Sequence, residues 1–305
     1  MQAPDELAGW PVGQASAGAL HRAGPAGPVE QLFVAGPAER TFPWASIIKL
    51  CTALAFLVAM EEGTVHPHDA AGPPDSTVAH LLAHASGLGP AGEVLAPPGT
   101  RRIYSNEGFE VLSRYLAHRA AMPYAQYLTE AVLEPLGMTG VAVGTAGAGS
   151  RGLSGPLVDL LALARELLAP TLVALGTLDW AASVAFAGLD GVLPGFGSQH
   201  PCDWGMGFEL RDGKHPHYTG AGNSQRTFGH FGQAGGFVWV DPDAGVAAAA
   251  LTDRDFGPWA AEAWPRFSDA VLADAAHAGS AGAGAGPDGS DPPATITTAM
   301  TAPSP

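Results

Sequence analysis

Strand-like segments stand at both ends of this 305-residue chain, and a mostly helical stretch separates them. That order limits the possible folds more than any other feature. Short β-type runs at 17–21 and 29–35 flank the turn cluster Gly24-Pro25-Ala26-Gly27-Pro28. Extended signals return at 205–211 and 227–231, then at 236–240 and 245–252, which read as a hairpin around Asp241-Pro242-Asp243-Ala244. Helices are predicted at 46–62, stopped by Gly63, and at 78–84, 107–118, 123–133, 157–168 and 180–187. A last helix is predicted at 258–276, with a kink or restart at Pro265. Strands this far apart in sequence must complete one sheet. The expected fold is therefore α/β of the α+β kind: an antiparallel sheet completed by N- and C-terminal segments and flanked by helices, with an inserted all-helical subdomain at about 64–190. The expected domain spans 1–277, and the Ala/Gly/Pro/Ser/Thr-rich stretch 278–305 reads as a disordered tail.

Charge narrows the partners. With 29 acidic and 14 basic residues the formal net charge is −15, which repels a phosphate backbone or an anionic membrane. No nucleic acid and no membrane partner is expected. The longest uncharged apolar run, 50–60, is about half of the roughly 20 residues a bilayer-spanning helix needs, so it reads as a core helix. The N-terminus has no basic n-region followed by an apolar stretch, which makes a cytoplasmic location the default expectation. Cys51 lies inside the apolar run, and both it and Cys202 are expected to be free thiols.

The chain has only two lysines, Lys49 and Lys214, against twelve arginines, and Lys49 stands three residues after Ser46. On a helix, positions three apart share a face, so the amine reaches the hydroxyl. A serine needs a neighbouring base to become a nucleophile, and a lysine buried among Ile47, Ile48 and Leu50 can lose its charge and act as one. The plainer reading makes Ser46 an N-cap and Lys49 a snorkelling surface residue. In Tyr104-Ser105-Asn106, a phenol beside a cation ionises more easily than usual and can relay protons. Asn106 can donate its amide to a substrate carbonyl, or simply cap the helix that follows. In His230-Phe231-Gly232, followed by Gly235-Gly236, the glycines let a ligand approach a strand edge, and His230 can assist proton transfer. The backbone N–H of Gln233 can then join that of Ser46 in an oxyanion hole.

These three elements, in this order, resemble the serine hydrolases of the penicillin-binding-protein and class C β-lactamase family, which includes D,D-peptidases and esterases and carries Ser-x-x-Lys, then Tyr-x-Asn, then Lys-Thr-Gly or a His-x-Gly variant. Leu81-Leu82-Ala83-His84-Ala85-Ser86-Gly87-Leu88, Pro98-Gly99-Thr100 and Trp204-Gly205-Met206-Gly207-Phe208 are similar to further segments of that family. The resemblance implies Ser46 as the acylating nucleophile, Lys49 and Tyr104 as the general-base pair, and Asn106, His230, Gly232 and Gln233 as substrate-binding positions. It implies no cofactor, and a small ester, amide or peptide as substrate. His-Phe-Gly replaces Lys-Thr-Gly, so the cation and hydroxyl commonly used to hold a carboxylate are missing. Arg226 is a candidate substitute for the cation, and Tyr218-Thr219-Gly220 is a weaker candidate for the third motif. His66-Pro67-His68-Asp69 and His215-Pro216-His217 have the close spacing of metal ligands but lack a third and fourth ligand, so no metal is assigned. The Lys214 to Thr219 stretch reads equally as a cleft border or a surface loop, and His84 as a structural hydrogen-bonding residue.

The function expected from this is carboxylesterase-type hydrolysis through a Ser46 acyl-enzyme. The alternatives within the class are a D-alanyl carboxypeptidase or D-aminopeptidase, a β-lactamase and an acyltransferase. The alternatives outside it are a catalytically silent binding protein and a metallohydrolase.

Overall fold

The computed structural model of the chain describes residues 1–24, 26–144 and 149–283. Helix α1 (Gln2–Ala8) precedes strands β1 (Ala15–Arg22), β2 (Val29–Ala35) and β3 (Phe42–Pro43). A 3₁₀ turn, Ala45–Ile47, leads into α2 (Ile48–Glu61), which is followed by α3 (Val78–Leu82), α4 (Asn106–Ala120), α5 (Tyr124–Leu128) and a π turn, Thr129–Leu133. Next come β4 (Ala142–Val143), β5 (Leu153–Gly155), α6 (Leu157–Leu168), α7 (Leu175–Ala181), β6 (Gly191–Leu193) and β7 (Gly197–Gln199). The chain closes with β8 (Glu209–Leu210), β9 (Phe228–Gly232), β10 (Gly236–Asp241), β11 (Val246–Thr252) and α8 (Pro258–Ala283).

The expected sheet is present. Six strands in the order β2-β1-β11-β10-β9-β8 pair antiparallel, and β1 lies directly on β11 with Ala15 opposite Thr252 and His21 opposite Val246. The period-2 alternation of a strand divides its side chains between two cores. Val238, Val240, Ala247, Ala249 and Leu251 face the core built around α2 and α6. Phe237, Trp239, Val246, Ala248 and Ala250 face the other, where α8 lays down Ala260, Ala263, Trp264, Phe267, Ala270 and Val271 at helical spacing. Almost every residue of α2 is buried, which explains why its sequence is apolar on all sides.

Several details differ from the sequence expectation. The helix predicted at 180–187 ends at Ala181, because Ala185 is drawn into a β-bridge with Trp204. Only Glu209–Leu210 of the extended stretch 205–211 forms a strand. Helix α8 continues through Pro265 and past Ala278 to Ala283; its buried face against the sheet offsets the hydrogen bond that proline cannot make. The remainder of the expected tail, 284–305, lies outside the described residues. Helix α1, unpredicted, has its first amides held by Asp274: Gln2 N and Ala3 N each donate to this carboxylate at 2.9 Å. Both cysteines are buried and free. No helix among the described residues is long and apolar enough to cross a membrane.

Candidate active site

Ser46 occupies the middle of the 3₁₀ turn, one residue after Ala45, whose φ of +46° is left-handed and costs a non-glycine residue about 1–3 kcal/mol. Lys49 follows one turn later, fully buried, and its Nζ lies 3.2 Å from Ser46 Oγ. The same amine donates to Asn106 Oδ1 at 2.8 Å and to the Ser150 carbonyl at 3.2 Å, and it faces the rings of Tyr104 and Phe109. Burial brings its pKa from 10.5 down to about 7, opposed by the nearby Glu110 carboxylate and aided by Arg151. A neutral amine has two N–H groups and one lone pair. Asn106 and Ser150 accept the two N–H groups, so the lone pair is left for the Ser46 hydroxyl proton.

The Tyr104 hydroxyl donates to Ser46 Oγ at 2.8 Å. The sequence reading had the neighbouring cation easing its ionisation, and the structure reverses this. The ring is packed against His84, Trp204 and His230, and burial pushes the phenol above its ordinary pKa of 10, offset only in part by the bond to Ser46. Tyr104 is therefore a protonated donor at rest. Asn106 is the first residue of α4, but the cap is Ser105, whose Oγ accepts from Gly108 N at 3.0 Å. The Asn106 side chain is thereby free to hold Lys49.

His230 is buried, and its Nδ1 lies 2.7 Å from the Phe231 carbonyl, to which it donates. The lone pair is then on Nε2, which has no hydrogen-bond partner among the described residues. Burial, with Lys49 adding to it, holds the pKa down at about 3. The proton-transfer role suggested by the sequence does not fit this group, which is a neutral acceptor at physiological pH. Gly232 also differs from expectation. A side chain there would run into the Trp44 carbonyl and stand 3.2 Å from Ala45 Cβ, so the glycine admits the Ser46 turn to the strand rather than a ligand. Gly232→Ala is expected to destabilise the protein by about 1–3 kcal/mol and to lower turnover, because strand or turn must retreat; denaturant unfolding and ester hydrolysis read the two effects.

Among the described residues, neither the Ser46 nor the Gln233 backbone N–H has an acceptor within the protein. Gln233 is tied to Phe256 by Phe256 N donating to its carbonyl at 2.8 Å and its Nε2 donating to the Phe256 carbonyl at 3.3 Å. Ser46, Tyr104, Asn106, His230 and Gln233 line one cavity of about 260 Å³, completed by Leu193, Pro194, Trp204 and Phe231. Among the described residues that line it, none is a cation. Arg226 is exposed and paired with Asp243 at 3.0 Å, away from this cavity.

The stretch from Lys214 to Thr219 does not line the cavity; it is a loop that exposes His215 and Pro216 and buries its other side chains. Lys214 is buried on Glu209 Oε1 and the carbonyls of Asp203 and Leu210, with its Nζ 5.6 Å from the centre of the Trp204 ring. His217 joins Glu209 Oε2 to Thr219 Oγ1, at 2.8 Å on each side, and Tyr218 packs on Phe231. These partners place the cluster behind the Trp204 wall and use up the polar groups of His217 and Thr219, while the Tyr218 hydroxyl is buried with no hydrogen-bond partner among the described residues. His84 accepts from Ser105 N at 3.2 Å, as a structural residue should.

Sequence reasoning missed Glu110 and Ser150. The Ser150 hydroxyl donates to Glu110 Oε1, while its carbonyl accepts from Lys49. Glu110 was discoverable, being one helical turn from Asn106. Ser150 was not, because it lies in a glycine-rich run with no periodic signal.

The family model described as β-lactamase matches residues 37–273. Among solved structures, a β-lactamase from Mycobacterium bovis is 49% identical, with 90% of this chain and 99% of that one covered and a TM-score of 0.85. EstCE1, a hydrolase with promiscuous acyltransferase activity, is 18% identical over 89% of this chain and 96% of its own, with a TM-score of 0.70. A penicillin-binding protein homologue from Pyrococcus abyssi is 19% identical over 90% and 75%, with a TM-score of 0.65. At such identities the last two share the fold alone. No curated protein sequence matches the chain. Because the family match runs from before the Ser46 turn into the C-terminal helix, and the M. bovis structure shares about half of the aligned residues on the same fold, the chain belongs to the β-lactamase family of serine hydrolases.

Proposed function

We propose that the protein is a carboxylesterase-type hydrolase that works through a Ser46 acyl-enzyme. The observation that carries this reading is the position of Ser46 Oγ between a protonated Tyr104 hydroxyl at 2.8 Å and an amine at 3.2 Å whose pKa is about 7. Ser46 Oγ attacks the ester carbonyl, and its proton passes to the Lys49 lone pair. The N–H groups of Ser46 and Gln233 receive the oxyanion. Collapse expels the alcohol, which takes the proton back, directly or through the Tyr104 hydroxyl. Water then attacks the acyl-enzyme, Lys49 again takes a proton, and the acid leaves as Ser46 is restored.

The preference for a neutral ester rests on the cavity wall. Its described residues include no cation, and His230 offers a lone pair where a carboxylate would need a positive charge. The name of the M. bovis relative makes a β-lactam the main rival substrate. Phenyl acetate is expected to give at least about tenfold higher kcat/KM than nitrocefin, since the carboxylate of the latter meets no partner. A higher value for nitrocefin would overturn the ester reading in favour of β-lactam hydrolysis.

Acylation that needs neutral Lys49 gives kcat/KM an acid limb near pH 7. The Glu110 carboxylate holds this pKa up, so Glu110→Gln is expected to move the limb to lower pH by about half a unit to one unit. A pH–rate profile measured on both proteins tests this, and an unmoved limb would exclude Lys49 as the titrating base.

A further inference from the structure

Beside the Ser46 cavity lies a larger concavity of about 760 Å³. The two spaces share Pro194, Phe231 and Gln233, so the residue whose amide is offered to the oxyanion also forms the ridge between them. From that ridge the larger space runs over Phe256 and Ala261 to Glu262. Its floor is a fixed aromatic cluster: Phe256 stands 5.6 Å from Phe196, 5.2 Å from Phe231 and 5.2 Å from Trp264 between ring centroids. Gly195 permits this, since any side chain there would collide with the Phe256 ring. One backbone bond and one from the Gln233 side chain to the Phe256 carbonyl tie the floor to the ridge. Among the described residues that line it, Glu262 is the one ionisable group, already paired with Arg266 at 2.9 Å, and none is a cation to greet an anion.

We infer that this groove holds an uncharged alkyl or aryl portion of the ester, acyl or alcohol side, while the ester carbonyl sits at Ser46. The inference rests on the esterase reading and adds its substrate class: esters with one extended apolar arm and no carboxylate on that arm. A preformed apolar groove opening from a small polar cavity selects such a molecule, because the arm loses water without ordering the protein. Each methylene that enters it is expected to improve binding about threefold to fourfold.

Methyl acetate, methyl hexanoate and hexyl acetate separate the possibilities. In the Ser46→Ala protein, calorimetry reads the affinity of the intact esters, independent of chemistry. One of the two esters with a six-carbon arm is expected to bind at least about tenfold more tightly than methyl acetate, and the one that gains identifies the side of the ester in the groove. In wild type, pH-stat turnover should give the same ratio in kcat/KM, and Ala261→Phe, which fills the groove, should collapse that ratio toward one. Equal affinities for all three esters would overturn the groove, and so would an unchanged ratio in Ala261→Phe. Tighter binding of a long ester without wild-type turnover would uphold the groove and overturn the hydrolase reading.

Discussion

Replacing Ser46 with alanine is expected to lower kcat for a neutral ester by about 10⁴–10⁶-fold, the range found when the nucleophile of an acyl-enzyme mechanism is removed. The reason is specific to this site. Lys49 has spent its N–H groups on Asn106 and Ser150, and Tyr104 has aimed its hydroxyl at Ser46 Oγ, so neither is arranged to activate a water in the serine's place. The substitution removes one partly buried oxygen, and stability should change by no more than about 1 kcal/mol. Unfolding curves therefore separate lost chemistry from lost structure. Brief treatment with a fluorophosphonate should add one adduct to wild type, mapped to Ser46, and none to Ser46→Ala. Turnover retained by the alanine variant, or labelling elsewhere, would remove Ser46 from the mechanism.

Lys49→Met is expected to act in opposite directions on activity and stability. Turnover should fall by about 10⁴-fold or more, because the amine that takes the Ser46 proton is gone. Stability should rise. A pKa of about 7 against 10.5 in the unfolded chain means that burial opposes the charged amine by about 5 kcal/mol. Methionine fills the space without that cost, while the stranded acceptors on Asn106 and Ser150 take back about 1–3 kcal/mol each. The balance at pH 7 runs from a loss of about 1 to a gain of about 3 kcal/mol, centred on a gain of about 1 kcal/mol, the direction seen when buried charges are replaced by apolar groups. The pH dependence has a defined sign. Between about 7 and 10.5 the unfolded chain holds the proton that the folded protein has lost, so wild-type stability climbs with pH across that window, whereas below it the penalty is complete. The advantage of Lys49→Met should therefore be largest below pH 7 and shrink toward pH 10.5. Denaturant unfolding at pH 6, 8 and 10 checks this, and a variant less stable than wild type at pH 6 would show that Lys49 is held by more than its chemistry.

The local features were legible in the sequence because they obey short-range rules. A helix buried on all sides shows as an unbroken apolar run; β10 and β11 show as a hairpin; a serine and lysine three apart must share a helical face. Strands at the two ends of the chain with helices between them required a closing sheet, and β1 on β11 is that closure. What the sequence could not show are effects that arise only when distant segments exclude water from one another. Whether Tyr104 ionises more or less readily depends on the rings of His84, Trp204 and His230 around it, and those come from three separate parts of the chain. His230 reads as an acid–base residue until burial makes it a neutral acceptor. Lys214 reads as a loop cation until it is found sealed against Glu209 behind the cavity wall. Even α1 takes its cap from Asp274, more than 270 positions away. Residue spacing along a helix or strand is a covalent property, written in the order of the amino acids. Desolvation and the field of remote charges depend on packing, and only the tertiary structure decides them.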